Sequence, residues 1–332
     1  MLLAMDNTKL STGMFGIGEL NLSPIQSGPV PALKIPLVSG VSASRGIAPA
    51  TFTRNSTATY IDPNGVLQTA AIDVPRFQNG RYLVELAATN LFLQSGIPET
   101  QTITVVSGSV YTVQCFGAGN ITLSGAGTGT VVQGTPITFT ASSTSLICTV
   151  TGSLSMAQVE LGPKATSYIP TTSSVLTRAA DVLHYDVSSV ITQGQGSLYC
   201  EFNYTSGTGV IRRIINLSNG TVAERITLYI NTINGLQVIG VTGGVTTIST
   251  PTVTYATSGN NKLLLTYRDN SVLLYHNGSL AGSDLSGLIS RLLTKLYAGV
   301  GDGVLQLNSE IGNIKYFKEV LTEAEAIKLT TL

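Results

Sequence analysis

The run Lys262-Leu263-Leu264-Leu265-Thr266-Tyr267-Arg268, the pair Asp269-Asn270, the run Ser271-Val272-Leu273-Leu274-Tyr275-His276 and the closing Asn277-Gly278 decide the reading of this chain. Each run has strand length and strand composition, and each is followed by residues that tolerate a tight turn. They predict antiparallel neighbours in a sheet. Working outward, Ser197-Leu198-Tyr199-Cys200-Glu201-Phe202 and Arg225-Ile226-Thr227-Leu228-Tyr229-Ile230 alternate in the same way. Only the end of the chain reads as helix: Thr322 with Glu325 three residues later makes a capping box ahead of Ala326, Ile327 and Leu329.

Residues 101–160 read as short strands at 102–106, 110–116, 121–123, 130–132, 137–141, 146–150 and 156–161, separated by Ser/Gly turns. Turn signals at that spacing predict a small β-sandwich. Upstream, Thr57–Ile61 leads into Asp62-Pro63-Asn64-Gly65, a turn by its Pro and Asn-Gly. Residues 1–48 are broken by Gly16, Gly18, Pro24, Gly28, Pro29, Pro31, Pro36 and Gly40, yet carry Leu20, Leu22, Val30, Leu33, Ile35 and Leu37. Such a segment is too apolar for a free tail and is expected to dock as an extended arm. Three units follow: a docking arm over 1–48, a small sandwich over 49–181 and an all-β jelly roll over 182–332.

Composition excludes several functions. The charged fraction is 11% and the net charge +0, so no general attraction to nucleic acid or anionic membrane is encoded. No run of apolar residues is long enough for a membrane helix, and Met1–Asp6 lacks the basic start of a secretory signal, which predicts synthesis in the cytoplasm. Cys115, Cys148 and Cys200 cannot all pair within one chain and are expected to be buried thiols.

Two stretches carry resemblances. The segment Phe52-Thr53-Arg54-Asn55-Ser56-Thr57-Ala58-Thr59-Tyr60-Ile61-Asp62-Pro63-Asn64-Gly65, with Val74-Pro75-Arg76-Phe77, Ala88-Thr89-Asn90-Leu91, Gln158–Pro163, Ser167–Thr171 and Arg178-Ala179-Ala180-Asp181, resembles a motif of bacteriophage tail-associated and other virion proteins. Residues 185–332 resemble the laminin-G/concanavalin-A-like jelly roll, through Tyr275-His276-Asn277-Gly278 and Ile311-Gly312-Asn313-Ile314 before the short helix. The first resemblance implies a virion structural or adhesion protein (tail fibre, spike, baseplate or head decoration), attached to other virion proteins through its arm and favouring a homotrimer. The second implies a shape used for sugar binding, so host surface glycans are the alternative partner, with a polysaccharide-degrading enzyme as a third reading.

No catalytic residue is assigned. Glycoside hydrolysis needs two carboxyls held about 5–5.5 Å or more apart across the bond, and Glu201 and Glu310 stand alone in their strands. His184 and His276 are the only histidines. Gly125-Ala126-Gly127-Thr128-Gly129 lacks the lysine and the following helix of a phosphate loop. No organic cofactor is expected. Calcium is the one metal with candidate ligands, from Asp302 with Asp284 or Asp269 in rim turns. A sugar platform, in a chain without Trp, would fall to Tyr199, Tyr204, Tyr229, Tyr255 or Tyr267.

Overall fold

In the computed structural model, which describes residues 28–44, 47–204, 210–251, 258–301 and 305–332, the deciding hairpin forms as read. Gly259–Arg268 pairs antiparallel with Ser271–His276, Tyr267 opposite Val272 and Leu263 opposite His276. Asn277 and Gly278 both take positive φ, as a primed hairpin turn requires. Leu263, Leu265, Tyr267, Val272 and Leu274 point into the main core. The alternate residues Leu264 and Tyr275 point the other way and meet Tyr199, Phe317, Leu321 and Ala326 beneath the helix Glu323–Thr330. Thr322 and Glu325 close the expected capping box.

Two sheets face each other across that core. One has eight strands, running from Ser279–Asp284 through Ser271–His276, Gly259–Arg268, Gln195–Tyr204 and Ser309–Phe317 to Arg81–Val84 and Arg76–Gln78. The other has seven, from Val245–Ser249 through Leu236–Thr242, Arg225–Ile230, Arg212–Ser218, Lys295–Ala298 and Val182–Asp186 to Thr51–Thr53. The chain is an all-β sandwich protein.

The unit boundaries differ from the sequence reading. Leu33–Pro36 is a strand of the eight-stranded sheet, paired with Ser309–Phe317, and Leu33, Ile35 and Leu37 are at most 1% exposed in the main core. The described part of 1–48 is therefore built into the jelly roll and is not a separate docking arm; residues 1–27 of the expected arm lie outside the described residues. Its period of two spans only Leu33, Ile35 and Leu37, is interrupted by Pro36, and its partner strand lies far along the chain. Strands Thr51–Thr53, Arg76–Gln78 and Arg81–Val84 likewise belong to the two large sheets, so 49–181 is interleaved with 182–332.

The small module keeps its own core, with Phe92, Val113, Cys115, Ile121, Leu123, Leu146, Cys148 and Val159. Its seven expected strands become five. Val110–Gly125 and Ser145–Leu161 are each continuous and pair along most of their length. Gly119 and Gly152 do not end these strands. A Cβ on Gly119 would lie 2.2 Å from the Thr151 carbonyl oxygen, and one on Gly152 2.5 Å from that of Ala118, so the glycines let two backbones close together.

Candidate functional site

Arg54, Arg76, Arg178 and Asp181 converge with Glu85 on one buried ion cluster. Arg54 reaches Asp181 at 3.1 Å, Arg76 reaches Asp181 at 2.5 Å and Glu85 at 2.9 Å, and Arg178 reaches Glu85 at 3.5 Å. Backbone carbonyls take further guanidinium protons: Ser56 and Ala71 from Arg54, Thr59 from Arg76, Leu86 from Arg178. Burial alone would raise the Glu85 carboxyl, but Arg178, Arg76 and the Ser167 hydrogen bonds outweigh it and hold it at about 2. Stripped of water, these charges persist because each is paired and hydrogen-bonded. Their role is positional: they fix the hairpin of Ala58–Ile61 and Leu67–Ala70 and the strap 162–168 against the edge of the eight-stranded sheet.

The strap is tied along its length. Ser167 donates to Glu85 through both its backbone N–H and its hydroxyl, Thr166 donates in the same way to Glu160, and Lys164 Nζ donates to the Asn308 carbonyl at 2.7 Å. Thr59 Oγ1 donates to the Tyr168 carbonyl. Burial pushes the Glu160 carboxyl up to about 7, against the pull of the Thr166 and Gln158 hydrogen bonds. Burial, helped by Arg212, brings the Lys164 ammonium down to about 8.

Hairpin, strap, small module and sheet edge enclose a cleft of about 710 Å³. Tyr60, Leu67, Phe116 and Met156 supply apolar surface; Gln78, Gln133, Asn203 and Glu310 supply polar groups. Glu310 is fixed from two sides: Asn79 Nδ2 donates to one carboxylate oxygen at 2.7 Å and Asn203 Nδ2 to the other at 3.2 Å. Asn79 is delivered by the turn Asn79-Gly80, where both residues take positive φ. Gln78 and Gln133 are oriented by accepting the backbone N–H groups of Ile61 and Gly117, each at 3.0 Å. The arrangement offers fixed acceptors and donors beside apolar faces.

Most residues nominated by sequence lie elsewhere. Asp302 and Tyr255 fall outside the described residues. Asp269 accepts the Ile289 N–H and pairs with Arg291, and Asp284 accepts from Ser249 and Ser286, so both are occupied as turn caps. Among the described residues no three His, Cys, Asp or Glu side chains gather as a metal site. Tyr199, Tyr204 and Tyr267 are at most 2% exposed, so these three form no sugar platform; Tyr229 is half-buried and its hydroxyl donates to Gln237. His276 bonds Asn261 and is brought down to about 4 by burial; His184 packs on Tyr297. All three cysteines are free and buried. The glycines of 125–129 serve packing: a Cβ on Gly127 would enter the Phe139 ring, and a strand, Gly129–Val132, follows. None of the nominated residues that the structure describes lines the cleft; Glu310, set aside in the sequence as a lone strand carboxylate, does. Asn203, Gln78, Gln133, Phe116 and Met156 carry no sequence signal of their own; the Asn79-Gly80 dipeptide announced a turn only.

No protein-family model matches the sequence, and no curated protein matches it. Solved structures do. The CBM40 of the Ruminococcus gnavus IT-sialidase is similar over 45% of this chain and 92% of its own, at 20% identity and a TM-score of 0.37. Domain 4 of AbnA, a GH43 extracellular arabinanase from Geobacillus stearothermophilus in complex with arabinotriose, is similar over 51% of this chain and 82% of its own, at 11% identity and a TM-score of 0.40. The NanB sialidase of Streptococcus pneumoniae is matched over 26% of its length and 45% of this chain, at 14% identity and a TM-score of 0.37.

Proposed function

We propose that this chain is a non-catalytic, glycan-binding adhesion protein of a bacteriophage particle, and that it holds sugar in the cleft between the small module and the eight-stranded sheet. The observation that carries the sugar reading is Glu310, whose carboxylate is locked by Asn79 and Asn203 in the wall of a cleft that also contains Phe116 and Met156. A sugar ring presents hydroxyl donors at its rim and C–H groups on its faces. A fixed carboxylate takes hydroxyl protons in charge-assisted hydrogen bonds, and apolar side chains take the C–H faces. A cleft of this size with a few oriented polar groups is the usual form of a small-ligand site. The particle setting rests on the sequence resemblance, to which the buried cluster of Arg54, Arg76, Arg178 and Asp181 adds a structural reason for the motif. The non-catalytic reading rests on the sequence, in which Glu201 and Glu310 each stand alone in their strand with no closely spaced acidic cluster beside them.

A glycan array probed with the purified protein tests the site. Binding is expected, and Glu310→Gln or Asn203→Ala should weaken it at least tenfold while leaving the melting temperature within a few degrees. Absence of binding, or binding indifferent to both substitutions, overturns the assignment. Release of reducing ends from a bound polysaccharide would overturn the non-catalytic reading, and absence of the protein from purified particles by mass spectrometry would overturn the setting.

A further inference from the structure

The outer face of the eight-stranded sheet carries a polar track that starts in the cleft and leaves it. Along Ser309–Phe317, Ile311, Ile314 and Tyr316 turn inward to the main core, and Glu310, Asn313 and Lys315 turn outward. On the neighbouring strand Gln195–Tyr204, Tyr199, Glu201 and Asn203 share that outer face, while Leu198, Cys200 and Phe202 are in the core. Beyond Glu310 the track crosses Gly312. A Cβ there would lie 3.2 Å from Glu201 Oε2 and 3.3 Å from Arg81 Nε, so the missing side chain is what lets Arg81 and Glu201 lie down across the strand. Both are pinned: Arg81 donates to Asn260 Oδ1 at 2.7 Å, and Glu201 accepts from Asn313 Nδ2 at 3.0 Å and from the Tyr199 hydroxyl at 2.7 Å.

At the far end of this shelf is a second hollow, of about 360 Å³, lined by Lys34, Pro36, Ser42, Asn313 and Lys315. Lys34 and Lys315 are cross-strand partners, and Lys315 Nζ stands 4.8 Å above the Tyr199 ring. Cleft, shelf and hollow therefore follow the outward side of one strand. From Glu310 to Lys315 the strand bulges between Ile311 and Ile314, so the stretch spans four steps of the neighbouring strand, about 14 Å at ~3.4 Å per residue, the length of a few linked hexoses.

We infer that the site is a track for an oligosaccharide chain, with one sugar in the cleft, the next over the Gly312 shelf and a further one against Lys34 and Lys315. The inference rests on the reading of the cleft as a sugar site. Alternating donors and acceptors suit it: Glu310 and Glu201 accept, and Asn203, Arg81, Asn313 and Lys315 donate, so a chain of hydroxyls meets a partner at each step.

Isothermal titration with chito-, xylo- and galacto-oligosaccharides of one to six units is the test. In the series that binds, the tetrasaccharide should bind at least tenfold tighter than the monosaccharide. Lys315→Ala and Asn313→Ala should lower that ratio about tenfold, as should Gly312→Val, whose side chain would lift Arg81 and Glu201; the first two variants carry the test if Gly312→Val does not fold. Equal affinity for monosaccharide and tetrasaccharide, or a ratio untouched by Lys315→Ala and Asn313→Ala, overturns the track and leaves the cleft standing. No binding by any series overturns both.

Discussion

Arg76 and Asp181 meet at 2.5 Å, 105 residues apart in sequence, with neither side chain exposed to solvent. The contact joins the edge strand that carries the cleft wall to the end of the segment that closes the small module. Arg54 and Arg178 crowd the same aspartate, and Glu85 shares two of the three guanidiniums.

Removing one partner of such a cluster leaves the others buried and uncompensated, which costs about 3–5 kcal/mol. Asp181→Ala is therefore expected to lower urea-denaturation stability by that order, and Arg76→Ala by a similar amount. A loss below about 1 kcal/mol for both would show that the cluster is dispensable.

Two carboxyls give stability opposite dependences on pH. Glu85 is held at about 2 against 4.5 for the free side chain, so its contribution is complete above pH 4.5 and is lost as pH falls toward 2. Glu160 is raised to about 7 from 4.5, so its contribution is complete below pH 4.5 and is lost as pH rises through 7. Glu160→Gln should flatten the stability profile between pH 4.5 and 8 and leave the acid limb unchanged. Urea titrations every half unit would reveal it; a variant profile parallel to wild type would rule out Glu160 as the source.

The strand Leu33–Pro36 should be indispensable to the jelly roll. Ile35→Ala leaves a cavity in the main core and is expected to cost about 2–5 kcal/mol. Deletion through Leu37 should yield insoluble or non-cooperatively melting protein. A truncated chain that melts sharply at the wild-type temperature would show the strand to be an accessory.

Gly119→Ala would place a methyl 2.2 Å from the Thr151 carbonyl oxygen, a backbone atom without a rotamer to change. The paired strands must part, at about 1–3 kcal/mol. A lowered melting temperature confined to the small module, seen as early hydrogen exchange at Val113–Ile121, is expected; unchanged exchange would mean that the strands separate without cost.

Local pattern was enough for the all-β class, the hairpin at 262–278, the capped terminal helix and the buried thiols, because alternation, turn dipeptides and capping boxes act between residues a few positions apart. Only the resemblance singled out Arg54, Arg76, Arg178 and Asp181, and it carried no physical reason, since Arg76 and Asp181 meet from 105 residues apart. Glu310 illustrates the limit. In sequence it is a lone carboxylate, and only the tertiary structure brings Asn79 and Asn203 to it from 231 and 107 residues away and sets Phe116 and Met156 in the same cleft. Leu33 and Ile35 read as an arm for the same cause: a four-residue strand carries too little periodicity to announce itself, and its place in the core is decided by pairing with Tyr316 and Ile314 at the other end of the chain.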